Sequence, residues 1–182
     1  MRKEIKKIIV IPENIEVTIN NHSFIVKGTL GESKDEFKFN KTIKVEKKEK
    51  KIEISCNKAT KKEKKIIGTI ENKLKSMISG VNKEYVYRLQ ICSVHFPITV
   101  KVEGEKVVIK NFLGENKDRV VKVIAGAKVK IEGDIITISS IDKEKAGQMA
   151  ADIENISKVK RYDRRVFQDG IWIIKKEKGR RK

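Results

Sequence analysis

Short runs of apolar residues at alternate positions open the chain. Residues 8–11 (IIVI), 15–19 (IEVTI) and 23–27 (SFIVK) are rich in Ile and Val, β-branched side chains that pack well on a pleated surface. Pro12-Glu13-Asn14 separates the first two runs, and Asn20-Asn21-His22 reads as a hairpin turn between the next two. Alternation continues at 36–39, 43–45 and 52–54, which predicts half-buried antiparallel strands with Lys or Glu toward water. The period then changes. Ile66, Ile67, Ile70, Leu74, Met77 and Ile78 form the stripe of an amphipathic helix, Thr60-x-x-Glu63 offers a capping box at its start, and Gly80 is its expected stop. Strands are predicted again at 98–102, 106–110, 119–124, 128–131 and 135–139. A helix follows over 142–157, capped by Asp142, with Ala146, Met149, Ala150, Ile153 and Ile156 inward. Its small residues, Ala146, Gly147, Ala150 and Ala151, let it lie close on a sheet.

The second series repeats the first. Sliding the chain by 83 positions lays 98–119 on 15–36 without a gap; eight of the 22 pairs are identical, and LGENKD (113–118) falls on LGESKD (30–35). IEN recurs at 70–72 and 153–155, and Glu103-Gly104-Glu105 occupies the turn of Asn20-Asn21-His22. Internal similarity of this kind predicts a duplicated domain. The expected class is α+β, two tandem domains over 1–82 and 83–182, each an antiparallel sheet covered on one face by one helix. The strand-like run YVYRLQICSV (85–94) joins the halves without a Gly-, Pro- or Ser-rich spacer, so a fixed relation between them is expected.

Composition narrows the function. Of 182 residues, 43 are Lys or Arg and 25 Asp or Glu, a net charge of +18, which implies a polyanionic partner, nucleic acid before a membrane surface. No run of about 18 apolar residues occurs, and the opening MRKEIKKIIVIPEN lacks the pattern of a secretory signal, so a cytoplasmic location is expected. Cys56 and Cys92 are too few and too far apart for a disulfide framework or a metal site. His22 and His95 pair with no nucleophile and read as structural. Nothing points to catalysis, a metal or a cofactor. The glycines of the two LGE segments, Gly31 and Gly114, lack the spacing of a phosphate-binding loop and read as turn formers.

The basic excess is uneven. Lys47–Lys51 and the cluster Lys61, Lys62, Lys64, Lys65 are interrupted by Glu49 and Glu63 and read equally well as a solvated face. From 158 to 182 there are eleven Lys or Arg against three acids. Arg presents a planar fork of donors that matches phosphate oxygens. The expected RNA-binding residues are Lys117, Arg119, Lys122, Lys128, Lys158, Lys160, Arg161, Arg164, Arg165, Lys175, Lys176, Arg180 and Arg181, with Lys130 beside them and Gly170 as a turn. Arg119 stands where the first copy has Glu36, a charge reversal that places the RNA face in the second copy. Tyr162 and Phe167 could stack on bases; Trp172 reads as packing against its own domain. Grip on folded RNA through phosphates and shape is the expected mode.

NFLGENKDR (111–119), YVYRLQICSVHFPITV (85–100) and KRYDRRVFQDGIWI (160–173) resemble the large-subunit ribosomal protein L-six family, called L-nine in eukaryotes, and the archaeal and eukaryotic branch more than the bacterial one. The likeness covers nearly the whole chain. It implies a non-enzymatic constituent of the large subunit with two similar domains. The second would bind large-subunit rRNA near the translation-factor-binding region, with neighbouring proteins at the stalk base. The 111–119 turn, 158–165 and Asp169-Gly170 correspond to motifs of the RNA-facing domain. The compact loop between Lys130 and Ile135 and the lysine-dense 47–65 depart from the pattern. A free-standing nucleic-acid-binding regulator or RNA chaperone remains the rival class, with an enzyme such as a nuclease behind it.

Overall fold

Ile and Val at alternate positions give most strands one apolar face, and the strands pair so that these faces share a helix. The computed structural model describes residues 3–20, 22–37, 39, 42–48 and 50–176, the side chains of 3 and 176 excepted. The chain divides into two units, Met1–Glu84 and Tyr85–Lys182.

The first unit contains β1 (Lys3–Val10), β2 (Glu16–Asn20), β3 (Ser23–Gly28), β4 (Gly31–Glu36), β5 (Lys44–Lys48), β6 (Lys51–Ala59) and α1 (Lys61–Asn82). Its strands form two antiparallel sheets, ordered β1-β6-β5 and β2-β3-β4, and α1 touches both. Phe24, Val26, Ile52, Ile54, Ile67, Ile70, Leu74 and Val81 are the fully buried centre. The capping box forms as expected: Thr60 N donates to Glu63 Oε2 at 2.8 Å while the Thr60 hydroxyl accepts from Lys62 N at 3.3 Å. The helix does not stop at Gly80. It runs on to Asn82 and ends where Lys83 turns extended, its N–H reaching Ser79 O at 2.9 Å; glycine there is buried helix. Gly28 is forced by packing, since a Cβ on it would lie 2.7 Å from Val81 Cγ2.

The second unit contains β7 (Tyr85–Cys92), β8 (Thr99–Glu103), β9 (Lys106–Lys110), β10 (Arg119–Lys122), β11 (Ala127–Glu132), β12 (Ile135–Ser140), α2 (Lys143–Ile156) and β13 (Gly170–Lys176). One sheet is β10-β9-β8, the other β11-β12-β7-β13. The run at 85–94 is thus the counterpart of β1 and a central strand of its own sheet. Asp142 caps α2, its carboxylate accepting from Glu144 N at 2.9 Å. Ala146, Met149, Ala150 and Ile153 are fully buried against Leu89, Ile136, Ile138 and Ile171. Close approach is real at Gly147, where a Cβ would stand 3.3 Å from the Tyr87 hydroxyl.

Both units keep the α+β class, and the strands of the second match those of the first except for β13. Alternation alone did not say that each unit divides its strands between two sheets. The repeated hexapeptide also behaves differently in its two copies. LGESKD enters β4 directly after a two-residue turn, with Gly28 paired to Gly31 and Gly31 at φ 142°, so strand comes at 31–36; of the run expected at 36–39, Glu36 ends β4, Phe37 and Phe39 lie outside any strand, and 38 is outside the described residues. In the second copy Asn111, Leu113 and Gly114 all have positive φ (56°, 51° and 75°), and the chain makes a 3-10 turn at Phe112–Gly114 before β10. Asn tolerates that region and Gly prefers it.

Candidate nucleic-acid interface

The four-stranded sheet of the second unit has one face under α2 and one face open. On the open face, pairing sets Lys130 opposite Thr137, Thr137 opposite Arg88, and Arg88 opposite Lys175, a row crossing all four strands. Neighbouring strands lie about 4.8 Å apart, so the row spans roughly three such steps, about 14 Å. Arg88, Lys130 and Lys175 are exposed, and none of them carries an ion pair among the described residues. Lys128, exposed two residues from Lys130, extends the row. Arg88 was not among the residues singled out from sequence. Its signal was there: in YVYRLQIC it is a cation at an outward position between the inward Tyr87 and Leu89.

The corresponding sheet of the first unit differs in charge. Its buried Ile52 and Ile54 match Ile136 and Ile138, which sets Glu46, Glu53 and Ile8 in the place of Lys130, Thr137 and Arg88. Glu53 accepts from Lys6 at 2.6 Å and Lys48 at 3.1 Å. Those bonds hold its carboxyl below the usual range and raise Lys6. Lys6 and Lys48 thus have a counter-charge within the sheet.

Beyond α2 the chain makes the basic loop 158–168. Asp163 builds it: its carbonyl accepts from Val166 N at 3.1 Å and Phe167 N at 2.9 Å, and its carboxylate from Arg165 N at 3.0 Å. Arg161 sits at φ 68°, unusual for a long side chain. Lys160, Arg161, Arg164 and Arg165 are exposed; Arg165 also lies 3.4 Å from Asp163. Lys158 donates to Asn155 Oδ1 at 2.6 Å.

Asp169 anchors the loop. Its carboxylate, 1% exposed, accepts from Val94 N at 2.6 Å and His95 N at 3.1 Å, and His95 Nδ1 lies 2.5 Å from its other oxygen. An ionised carboxylate only accepts, so that ring nitrogen carries the proton. Burial pushes the carboxyl up, but the His95 and Val94 amides and the His95 ring outweigh it and leave the pKa lowered. His95 has the structural role expected of it. Ser157 and Glu154 complete the frame: Ser157 Oγ accepts from Ile171 N at 3.0 Å and Glu154 Oε1 from Ile173 N at 3.1 Å, satisfying the outer edge of β13.

Three expectations change. Arg119 is committed to the fold. It donates to both oxygens of Glu115 (2.8 and 2.5 Å) and to the carbonyls of Ile156 (2.6 Å) and Lys158 (3.2 Å), with its guanidinium 3.9 Å above the Phe112 ring. Most of its donors are therefore unavailable to phosphate, and it ties the 111–118 connection to the end of α2. The reversal from Glu36 is thus not a sign of an RNA face. Gly170 makes no turn; it opens β13 and is glycine because the Trp172 indole lies over it, where a Cβ would be 3.2 Å from Cε2. Trp172 packs on Gly170 but is not enclosed by its domain, with 42% of it exposed on the open face. Gly114 turns the chain as expected, whereas Gly31, like Gly170, opens a strand, here β4 directly after the two-residue turn. Lys117 and Lys122 are exposed on the other sheet and its connection, outside the row. Lys176 lies at the end of β13, and its side chain, with Arg180 and Arg181, falls outside the described residues.

Among the described residues no group of three or more His, Cys, Asp or Glu is arranged to hold a metal ion. No helix there is long and apolar enough to cross a membrane. Cys56 and Cys92 carry free thiols.

Comparison with known proteins gives the same division of the chain. The model of the ribosomal protein L6 family matches twice, over residues 11–84 and 96–170. The large ribosomal subunit protein uL6 of Methanosarcina mazei is 42% identical over 176 residues, covering 97% of this chain and 99% of that protein. The protein of the same name from Methanobrevibacter smithii is 43% identical over 173 residues, 95% of this chain and 97% of its own. That of Sulfurisphaera tokodaii is 42% identical over 167 residues, 92% and 90%. With two family matches that fall on the two units and relatives aligned nearly end to end, this chain belongs to the ribosomal protein L6 family.

Proposed function

We propose that this protein is a non-enzymatic, structural constituent of the large ribosomal subunit, held on rRNA mainly by its second unit. Family membership supports the role, and the cross-strand row Arg88, Lys130 and Lys175 supports the surface. Exposed cations at strand spacing neutralise successive phosphates and release their counterions, which fixes register on a folded RNA without reading its sequence. Loop 158–168 adds Lys160, Arg161, Arg164 and Arg165. The Asp169 anchor gives these cations a fixed platform, so less chain entropy is lost on binding. In the large subunit the second unit would lie near the translation-factor-binding region, beside the proteins of the stalk base, and the protein would reside in the cytoplasm with the ribosome. The resemblance of 158–165 and Asp169-Gly170 to the family's RNA-facing motifs supports that placement.

Replacing Arg161, Arg164 and Arg165 together by Ala tests the reading. We expect weaker incorporation into large subunits and a salt dependence of rRNA binding shallower by about one unit of log–log slope per lost phosphate contact. An unchanged slope with unchanged incorporation would refute it.

A further inference from the structure

We propose that the groove between Trp172 and the 158–168 loop is a nucleobase site, which takes one unstacked base of an RNA strand while the adjoining phosphates lie on Lys158 and Arg164. This rests on the reading that the second unit binds RNA and adds to it a contact that phosphate neutralisation does not provide.

The groove has a volume of about 640 Å³, within the range of small-molecule sites. Its lining joins apolar side chains, Cys92, Val94, Val159, Phe167 and the indole of Trp172, with the polar Lys158, Arg164 and Gln168. Val94 is 79% exposed and Trp172 42%, so apolar surface stands open within the most cationic part of the unit. That combination selects an occupant with an aromatic face and a negative charge beside it. A nucleotide has both: its base covers the indole, its phosphate meets the cations, and the Gln168 amide can donate to or accept from the base edge.

The rings are held ready. Trp172 lies over Gly170, where a Cβ would crowd the indole at 3.2 Å. Phe167 is wedged between His95 and Tyr162, ring centres 4.6 and 4.8 Å away, and His95 is fixed in turn by Asp169. Rigid rings lose little entropy on stacking. An acidic peptide would satisfy the cations but leave the indole uncovered, and a paired RNA helix has no free base to offer.

Trp172 is the sole tryptophan, so the fluorescence of the intact chain reports on this groove. The test titrates the full-length protein with short single-stranded oligouridylate and with an abasic strand carrying the same number of phosphates. The base-bearing strand should quench or shift Trp172 emission and the abasic strand should not. Trp172→Ala should weaken oligouridylate binding, followed by anisotropy of labelled RNA, by about 5- to 150-fold, the range found for one base–aromatic stack; Trp172→Phe, which keeps a ring, should recover most of it. Equal emission responses to both strands would overturn the proposal without requiring any variant to fold. So would a Trp172→Ala protein that binds like wild type while the triple arginine variant is weakened; the phosphate reading would then survive alone. If neither strand binds and the arginine variant changes nothing, both readings fall.

Discussion

Asp169→Ala should cost the second unit about 2–4 kcal/mol. Two backbone amides, Val94 N at 2.6 Å and His95 N at 3.1 Å, donate to one oxygen of this buried carboxylate, and the His95 ring meets the other at 2.5 Å. Hydrogen bonds to a charged group contribute about 1.5–3 kcal/mol each, net of water. Val94 and His95 are exposed, so the freed donors regain solvent, and we take roughly half the sum. Urea unfolding followed by the emission of Trp172, which lies in this unit, isolates the relevant transition. With a slope of about 1–1.5 kcal/mol per molar urea, the midpoint should fall by about 2 M. Asp169→Asn keeps one carbonyl acceptor without the charge and should fall between Ala and wild type. The pH dependence has a definite sign. Because the folded carboxyl is held low, its contribution is complete above the unfolded pKa near 3.9 and is lost as pH falls through the lower folded value. The acid limb of wild-type stability should therefore be steeper than that of Asp169→Ala. A midpoint within about 0.3 M of wild type, or an Asn variant no better than Ala, would refute the claim that this carboxylate anchors the loop.

Two further outcomes separate fold from surface. Arg119→Lys should destabilise the second unit by about 2 kcal/mol, because an ammonium cannot span both Glu115 oxygens and the two carbonyls at once, yet leave the salt slope of RNA binding unchanged; a changed slope with unchanged stability would return Arg119 to the RNA surface. Replacing Arg88, Lys130 and Lys175 together by Ala should do the reverse, with stability within about 1 kcal/mol of wild type by thermal unfolding and a log–log salt slope shallower by about 2–3. An unaltered slope would empty the row of function.

What could be read from sequence was what repeats with a fixed period. The helix stripes, both N-caps and most strands follow from alternation and from Thr60, Glu63 and Asp142, whose chemistry acts within a few residues. What escaped depends on partners distant in the chain. Arg119 looked like a free cation, and only the approach of the Ile156 and Lys158 carbonyls makes it a clamp. Arg88 looked like one polar position in an apolar strand; the register to Thr137 and Lys175 makes it the middle of a row. Gly170 was read by the rule that glycine turns chains, whereas here it leaves room for an indole. Gly80 failed as a stop for a related reason: glycine permits a helix end without imposing one.

The two copies also separate what the fold requires from what binding requires. Ile52 and Ile54 match Ile136 and Ile138 because both pairs lie beneath a helix, where loss of volume is expensive. One residue away, on the open face, packing imposes nothing, and Glu53 can stand where the other unit has Thr137. That freedom explains why the faces can differ but not the direction of the difference. In the first unit Lys6 and Lys48 both close on Glu53, so these two lysines share a local counter-charge. In the second, the acids are gone from the row and three cations remain unpaired among the described residues. Unpaired like charges at strand spacing repel, a modest but real penalty to the folded state. A polyanion laid across the row removes that penalty, so the face that is less comfortable alone is the one built to be covered.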